Sequence, residues 1–143
     1  MGKIANDLPC GVLISPLKKI YNPKGNLFHV MKATDSGYFS FGEAYFTTVN
    51  CGDIKGWKKH LKMVLNLVVI VGEVDFFIHD EVMMTTYSVR LSRENYSRLT
   101  IPSGYWVSFE GVSDNENIVL NLASIEHDEN ESINVPINSF PIV

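Results

Sequence analysis

Short runs in which apolar and polar positions alternate recur along the chain, and they are rich in Val, Ile, Tyr, Phe and Thr. Segments of this kind, separated by turn residues, are the pattern of an all-β sandwich or barrel, since a period of two puts one face of each strand on a core. The pattern predicts strands over residues 11–14, 27–32, 38–49, 54–71, 73–79, 86–91, 97–101, 105–110 and 118–124. Turn chemistry separates them, in NPKGN at 22–26, NCGD at 50–53, VGE at 71–73, IPSG at 101–104 and SDNEN at 113–117. Only LSRENYSRL, from Leu91 to Leu99, is expected to hold a helical turn, with Ser92 as a capping residue. The stretch from Glu126 to Val143 is punctuated by Pro136 and Pro141 and reads as a C-terminal arm that can add an edge strand.

At 143 residues and 45% hydrophobic content, the chain suffices for one well-buried core, so a single domain over 1–143 is expected. No stretch approaches the roughly 20 apolar residues that span a bilayer. The longest apolar block, Val64 to Ile70, is interrupted by Asn66 and reads as a buried strand. The N-terminal residues MGKIANDLPCGVLISPL lack the apolar core and cleavage site of a secretory signal, and MGKIAN lacks the Ser or Thr of a myristoylation signal. A cytoplasmic protein without a membrane partner is therefore expected. Cys10 and Cys51 have no CxxC spacing and no Cys/His cluster around them, which points to free buried thiols rather than a disulfide or a zinc site.

The formal net charge of −4 argues against a broad nucleic-acid surface, which depends on clustered Lys and Arg. The charge is uneven, however. Lys55, Lys58, Lys59, His60 and Lys62 form the densest basic run, while Asp114, Glu116, Glu126, Asp128, Glu129 and Glu131 lie in the last third. A local cationic site in an acidic protein suits a small phosphorylated ligand.

Alternation from Trp57 onward puts Trp57, Lys59, Leu61, Met63, Leu65 and Leu67 on one face and Lys58, His60, Lys62, Val64 and Asn66 on the other. A barrel strand whose inward face starts basic and turns apolar makes a pocket mouth above a packed floor, which gathers Lys58, His60, Lys62 and Asn66 into one candidate site. The competing reading is a solvated outer strand, since Lys-rich edges also guard against strand-to-strand aggregation. The block VLNLVVIVGEVDFFI that follows favours a strand buried on both sides.

The runs IKGWKKHLKMVLNLVVIVGEVDFFIHD, LSRENYSRLTIPSGYWVSFEGVS and HDENES, in this order, resemble the cupin-type sugar-nucleotide epimerase and isomerase family related to dTDP-4-dehydrorhamnose 3,5-epimerase. The similarity spans residues 25–136 and is strongest to the short, single-barrel subgroup, whose strand usually reads GWHxH. The resemblance implies a cupin-type double-stranded β-helix, or jelly-roll barrel. It further implies an epimerase or isomerase acting on a nucleotide-linked 4-keto-6-deoxy sugar, dTDP-linked above all, in surface polysaccharide biosynthesis. A nucleotide-sugar ligand and a homodimer come with it.

The chain departs from the family at two places. Lys58 stands at the first histidine of GWHxH, and His60 matches the second. The full-length epimerases use a histidine base with an acidic partner and a tyrosine that delivers a proton to the opposite face. The segment where that tyrosine would fall reads IVLNLAS, around Leu120 and Asn121, leaving Tyr45, Tyr105 and Tyr38 as candidates. The related 3,4-ketoisomerases carry two histidines two residues apart, of which one is kept. The metal-binding cupin signature needs that same pair, so neither a metal nor another cofactor is expected. His29, His79 and His127 stand apart in sequence and read as surface or hydrogen-bonded histidines, with HDENE resembling the subgroup's HDxxE segment at the barrel rim.

Both family reactions remove a proton from carbon beside a carbonyl, which calls for a base and for a cation or donor at the developing enolate oxygen. His60 is the candidate base, with Lys58 as the second candidate catalytic residue, and Lys58 or Lys62 is the cation for the enolate oxygen. Lys55, Lys62, Asn66, Glu43, Tyr45, Tyr105 and Trp106 are the candidate substrate-binding residues. Glu43 shares a face with Phe41 and Tyr45 and can contact a sugar, pair with Lys58 or form an edge salt bridge. Of Tyr105 and Trp106, which follow IPSG, one can stack on a nucleotide base while the other packs, since neighbours on a strand face opposite ways. A sugar-nucleotide-binding or partner protein without catalysis is the alternative that the two departures support.

Overall fold

The computed structural model describes residues 8–142. Its strands are β1 (Leu13–Pro16), β2 (Lys19–Ile20), β3 (Leu27–Phe28), β4 (Glu43–Thr48), β5 (Ile54–His60), β6 (Leu65–Val71), β7 (Glu73–Asp80), β8 (Thr85–Ser92), β9 (Ser97–Ile101), β10 (Trp106–Gly111), β11 (Ile118–Ala123) and β12 (Ser132–Asn134). Strands β1-β9-β6-β11-β4 form one antiparallel sheet and β12-β5-β10-β7-β8 another, with β2 and β3 as a separate ribbon. From β4 to β7 and again from β8 to β12 each strand joins the sheet opposite its predecessor, the winding of a jelly roll. The inner faces share one core, with Leu65, Leu67, Val69 and Leu99 from the first sheet against Val74, Phe76, Ile78 and Leu91 from the second.

The strand predicted over 54–71 is two strands in two sheets. The break falls at residues 61–64, where four consecutive amides leave the ladder for other acceptors. Leu61 N–H donates to the Glu131 carbonyl at 2.7 Å, those of Lys62 and Met63 to the Glu131 carboxylate at 3.1 Å each, and that of Val64 to Ser124 Oγ at 2.8 Å. These bonds satisfy the backbone of a barrel corner that periodicity does not reveal, because buried amides need partners but not ladder partners. The crossing also resets the alternation, so His60 and Leu65 both face inward although their numbers differ in parity.

The strand expected over 38–49 is shorter for a similar reason. Tyr38 N–H closes a turn on Asp35, and Gly42 N–H reaches the Ala123 carbonyl. The loop before it lies on the outer face of the first sheet, where buried Arg98 donates to the carbonyls of Val30 and Ser36 and Asn66 donates to that of Gly37. A side chain at Gly37 (φ 94°) would fall 2.5 Å from Thr100 Oγ1, so the glycine allows this close approach. The predicted helical turn after Leu91 is instead a β8–β9 turn in which Ser92 Oγ accepts from Asn95 N–H, the expected capping chemistry in another geometry. Cys10 and Cys51 are free as expected but exposed rather than buried, since both lie in loops outside the sheets.

The outer face of the second sheet is covered by the C-terminal segment. After a 3-10 turn at Glu129–Glu131, β12 pairs with β5, and a second such turn at Ile137–Ser139 leads to Phe140. Phe140 and Val135 pack on Trp57, Phe77 and Trp106. Fully buried Trp57 donates its indole N–H to the Ile137 carbonyl at 3.0 Å. His79, 2% exposed, lies parallel to the Phe140 ring at 4.1 Å and bonds Thr86 through Nδ1.

Burial lowers the His79 pKa from 6.5, against the opposing pull of Glu81 and Asp80. Below pH 6.5 the unfolded chain therefore binds this proton more readily than the folded one, and stability is lost as the pH falls. Urea midpoints at pH 7.5 and 5.5 should drop more for the wild type than for His79→Phe. Equal drops would remove His79 as the source.

Candidate active site

A cavity of about 320 Å³ opens between the two sheets beside β4 and β5. Its floor and walls are apolar, formed by Leu65, Leu67, Val107, Phe109 and Val119. Tyr45, Thr47, Lys55, Lys58, His60 and Asn121 are the polar groups around it. A concave apolar site with a few convergent polar groups is the usual form of a small-molecule pocket.

Local irregularity in β5 brings the two lysines together. Val107 of β10 pairs with Lys58 and Phe109 with Lys55, so two steps along β10 match three along β5, which carries one extra residue there. This bulge undoes the alternation, and Lys55 lines the same cavity as Lys58 and His60. Trp57, within the bulge, faces the opposite side under the C-terminal segment.

His60 sits at the end of β5, opposite Ser132 of β12. The preceding residue, Glu131, thereby lies beside the imidazole, and its Oε1 pairs with His60 Nδ1. The side chains are 12% and 4% exposed, respectively. The other carboxylate oxygen accepts the amides of Lys62 and Met63. Burial alone would raise the Glu131 pKa, but the His60 bond, the two amides and the His60 charge outweigh it and hold the carboxyl below 4.5. An ionised Glu131 selects the tautomer with the proton on Nδ1, leaving the Nε2 lone pair as the base of the dyad.

On the facing wall, Tyr45 of β4 is paired with Asn121 of β11, and Asn121 Nδ2 donates to the Tyr45 hydroxyl at 3.0 Å. Lys55 Nζ donates to Thr47 Oγ1 at 2.9 Å and lies 6.0 Å from the Phe109 ring centre.

The other sequence candidates lie elsewhere. Asn66 is on the outer face of its sheet, accepting from Thr100 Oγ1 at 2.6 Å, because the corner at 61–64 turned it away from His60. Lys62 belongs to that corner and does not line the cavity. Glu43 accepts the His127 amide at 3.2 Å, and no ion pair with Lys58 forms among the described residues. Tyr105 donates its hydroxyl to the Cys10 carbonyl. Trp106 packs on the outer cluster and donates to Glu81 at 3.2 Å, the packing role that alternation allowed it. Glu131, Thr47 and Asn121 were not among the candidates; the only sequence signal for Glu131 was its place in HDENES. Among the described residues, no three His, Cys, Asp or Glu side chains gather as a metal site, and no helix is long and apolar enough to cross a membrane.

The family model described as FdtA, WxcM-like, C-terminal, matches residues 11–138. The chain belongs to this family. Among solved structures, it is similar to a dTDP sugar isomerase from Desulfovibrio desulfuricans G20, with 28% identity over 94% of this chain and 90% of the other and a TM-score of 0.88. A sugar 3,4-ketoisomerase from Thermoanaerobacterium thermosaccharolyticum, in complex with TDP, matches with 21% identity over 88% of this chain and 89% of that one, at a TM-score of 0.76. A dTDP-6-deoxy-D-glucose-3,5-epimerase from Legionella pneumophila, in complex with dTDP-4-keto-L-rhamnose, matches with 16% identity over 92% and 79% of the two chains, again at 0.76. No curated protein sequence matches the chain. The fold is thus the cupin-type jelly roll, and the resemblance to the sugar-nucleotide epimerase and isomerase family stands.

Proposed function

We propose that the protein is an isomerase or epimerase acting on a dTDP-linked 4-keto-6-deoxy sugar, by proton abstraction from carbon beside the carbonyl. The His60–Glu131 dyad at the edge of an apolar cavity carries this reading, since it supplies an oriented imidazole with a free Nε2. Lys55 and Lys58 are the two cations of the cavity. They suit the diphosphate of a nucleotide sugar and the oxygen on which enolate charge develops. Tyr45, held by Asn121, is the hydroxyl that can return a proton to the intermediate. A role in surface polysaccharide biosynthesis, a cytoplasmic location and a homodimer belong to the same proposal, supported by the family membership.

The test is incubation with dTDP-4-keto-6-deoxyglucose in D2O, followed by mass spectrometry and NMR of the sugar. Deuterium should enter at carbons flanking the carbonyl. Tyr45→Phe should lower the yield of rearranged or inverted product about 10²-fold or more, while TDP still raises the melting temperature. Unchanged product formation by Tyr45→Phe would place the proton donor elsewhere.

A second reading has its own observation. Lys58 occupies the position at which the short subgroup carries histidine, so a barrel that binds nucleotide sugars without turning them over is the competitor. Thermal stabilisation by TDP and by the sugar nucleotide with no deuterium exchange would select it.

A further inference from the structure

Lys58 differs from the other two lysines of β5 in having no partner among the described residues. Lys59 is paired with Glu81 at 2.6 Å and lies 5.0 Å from the Trp106 ring centre, on the outside of the barrel. Lys55 donates to Thr47 inside it. Among the described residues, the Lys58 amine has neither a hydrogen-bond acceptor nor a carboxylate partner, although it lines the cavity. Glu131, beside His60, is taken up by that imidazole and two amides.

Lys58 and His60 are two residues apart on the same strand and line one cavity. Their Cα atoms are therefore about 7 Å apart along β5. An amine and an imidazole at that spacing can address neighbouring carbons of one sugar ring. The apolar walls formed by Val107, Leu65 and Leu67 surround them.

We propose that Lys58 is a covalent catalytic residue that condenses with the ketone of the substrate to form an imine. This rests on the proton-abstraction reading above and names its electron sink. The amine lone pair attacks the carbonyl carbon and one N–H proton passes to the oxygen; the hydroxyl so formed takes a second proton from solvent and leaves as water, and a protonated imine remains. His60 Nε2 removes the proton from the adjacent carbon, and the electron pair of that C–H bond forms the C=C bond of an enamine while the C=N π pair returns to nitrogen. Tyr45 delivers a proton to the same carbon from the other side, regenerating the protonated imine with inverted configuration. Water then releases the ketone and the free amine, with no net oxidation or reduction.

The imine also restricts the outcome. If the intermediate were protonated instead at the carbon bearing nitrogen, the carbonyl would move to its neighbour and the lysine would stay attached as a secondary amine. Turnover through Lys58 is therefore compatible with epimerisation beside the carbonyl and not with migration of the carbonyl.

Sodium cyanoborohydride reduces protonated imines in preference to ketones, which gives a direct test. Full-length protein is incubated with dTDP-4-keto-6-deoxyglucose and the reductant, then analysed by intact-mass and peptide mass spectrometry, alongside deuterium exchange without reductant. The wild type should gain one adduct, with the mass of the sugar nucleotide less one oxygen atom, on the peptide carrying Lys58. Lys58→Arg keeps the charge but cannot form the imine, and should lose both adduct and exchange while TDP still raises its melting temperature.

Exchange by the wild type with no adduct, or with adducts spread over Lys55, Lys62 and surface lysines, would overturn the imine and leave proton abstraction standing. An adduct confined to Lys58 without exchange would uphold the imine and overturn turnover. Absence of both would overturn the two together.

Discussion

His60→Gln should lower deuterium exchange into dTDP-4-keto-6-deoxyglucose by about 10²–10⁴-fold, the range a positioned general base contributes. Glutamine preserves much of the length and can still donate to Glu131, so the β12 contact beside β5 should survive. It offers no lone pair of comparable basicity to a carbon acid. Glu131→Gln should be milder, at about 10–100-fold, because it removes the charge that fixes the imidazole and leaves the imidazole itself. Two further readouts separate orientation from folding. TDP should stabilise both variants as it does the wild type, and only Glu131→Gln should move the pH profile of the residual rate. Exchange within threefold of wild type in His60→Gln would mean that another group takes the proton.

Trp57→Ala should cost about 3–5 kcal/mol of stability, measured by urea unfolding, because it empties a fully buried site rather than trimming a surface. The loss is large for one residue since three contacts go together. These are the indole bond to the Ile137 carbonyl, the edge contact with Phe140 at 5.5 Å and the edge contact with His79 at 6.3 Å. The consequence reaches the cavity on the other side of the sheet. The segment that Trp57 anchors also carries Glu131, so loosening it should release the dyad and lower exchange in any fraction that remains folded. A cost under 1 kcal/mol would show that this segment is not held by the Trp57 cluster.

The strand content and the all-β class were legible because alternating Val, Ile, Phe and Tyr residues between turn signals say much about which residues share a face and little about where a strand stops, while the jelly roll came from the family resemblance. The corner at 61–64 shows the limit. Nothing in LKMV differs from strand residues locally, and the amides that end β5 are satisfied by Glu131 and Ser124, both 60 or more residues away. Every inference that relied on unbroken alternation past that point failed with it, as for Asn66 and Lys62. Lys58 and His60 line one cavity, as alternation placed them, because they precede the corner. Glu131 was hidden in an acidic run whose members look alike in sequence. Only the pairing of Ser132 with His60 singles it out.

The extra residue in β5 is one that the strand can lose without losing its frame. Removing Gly56 would set Lys55, Trp57 and Lys58 one for one against Phe109, Ser108 and Val107 of β10. Lys55, Lys58 and His60 would then still share the inner face, with Trp57 and Lys59 outside, as plain alternation requires. A homologue lacking one residue between Ile54 and Trp57 should therefore keep the facing of its ligand site.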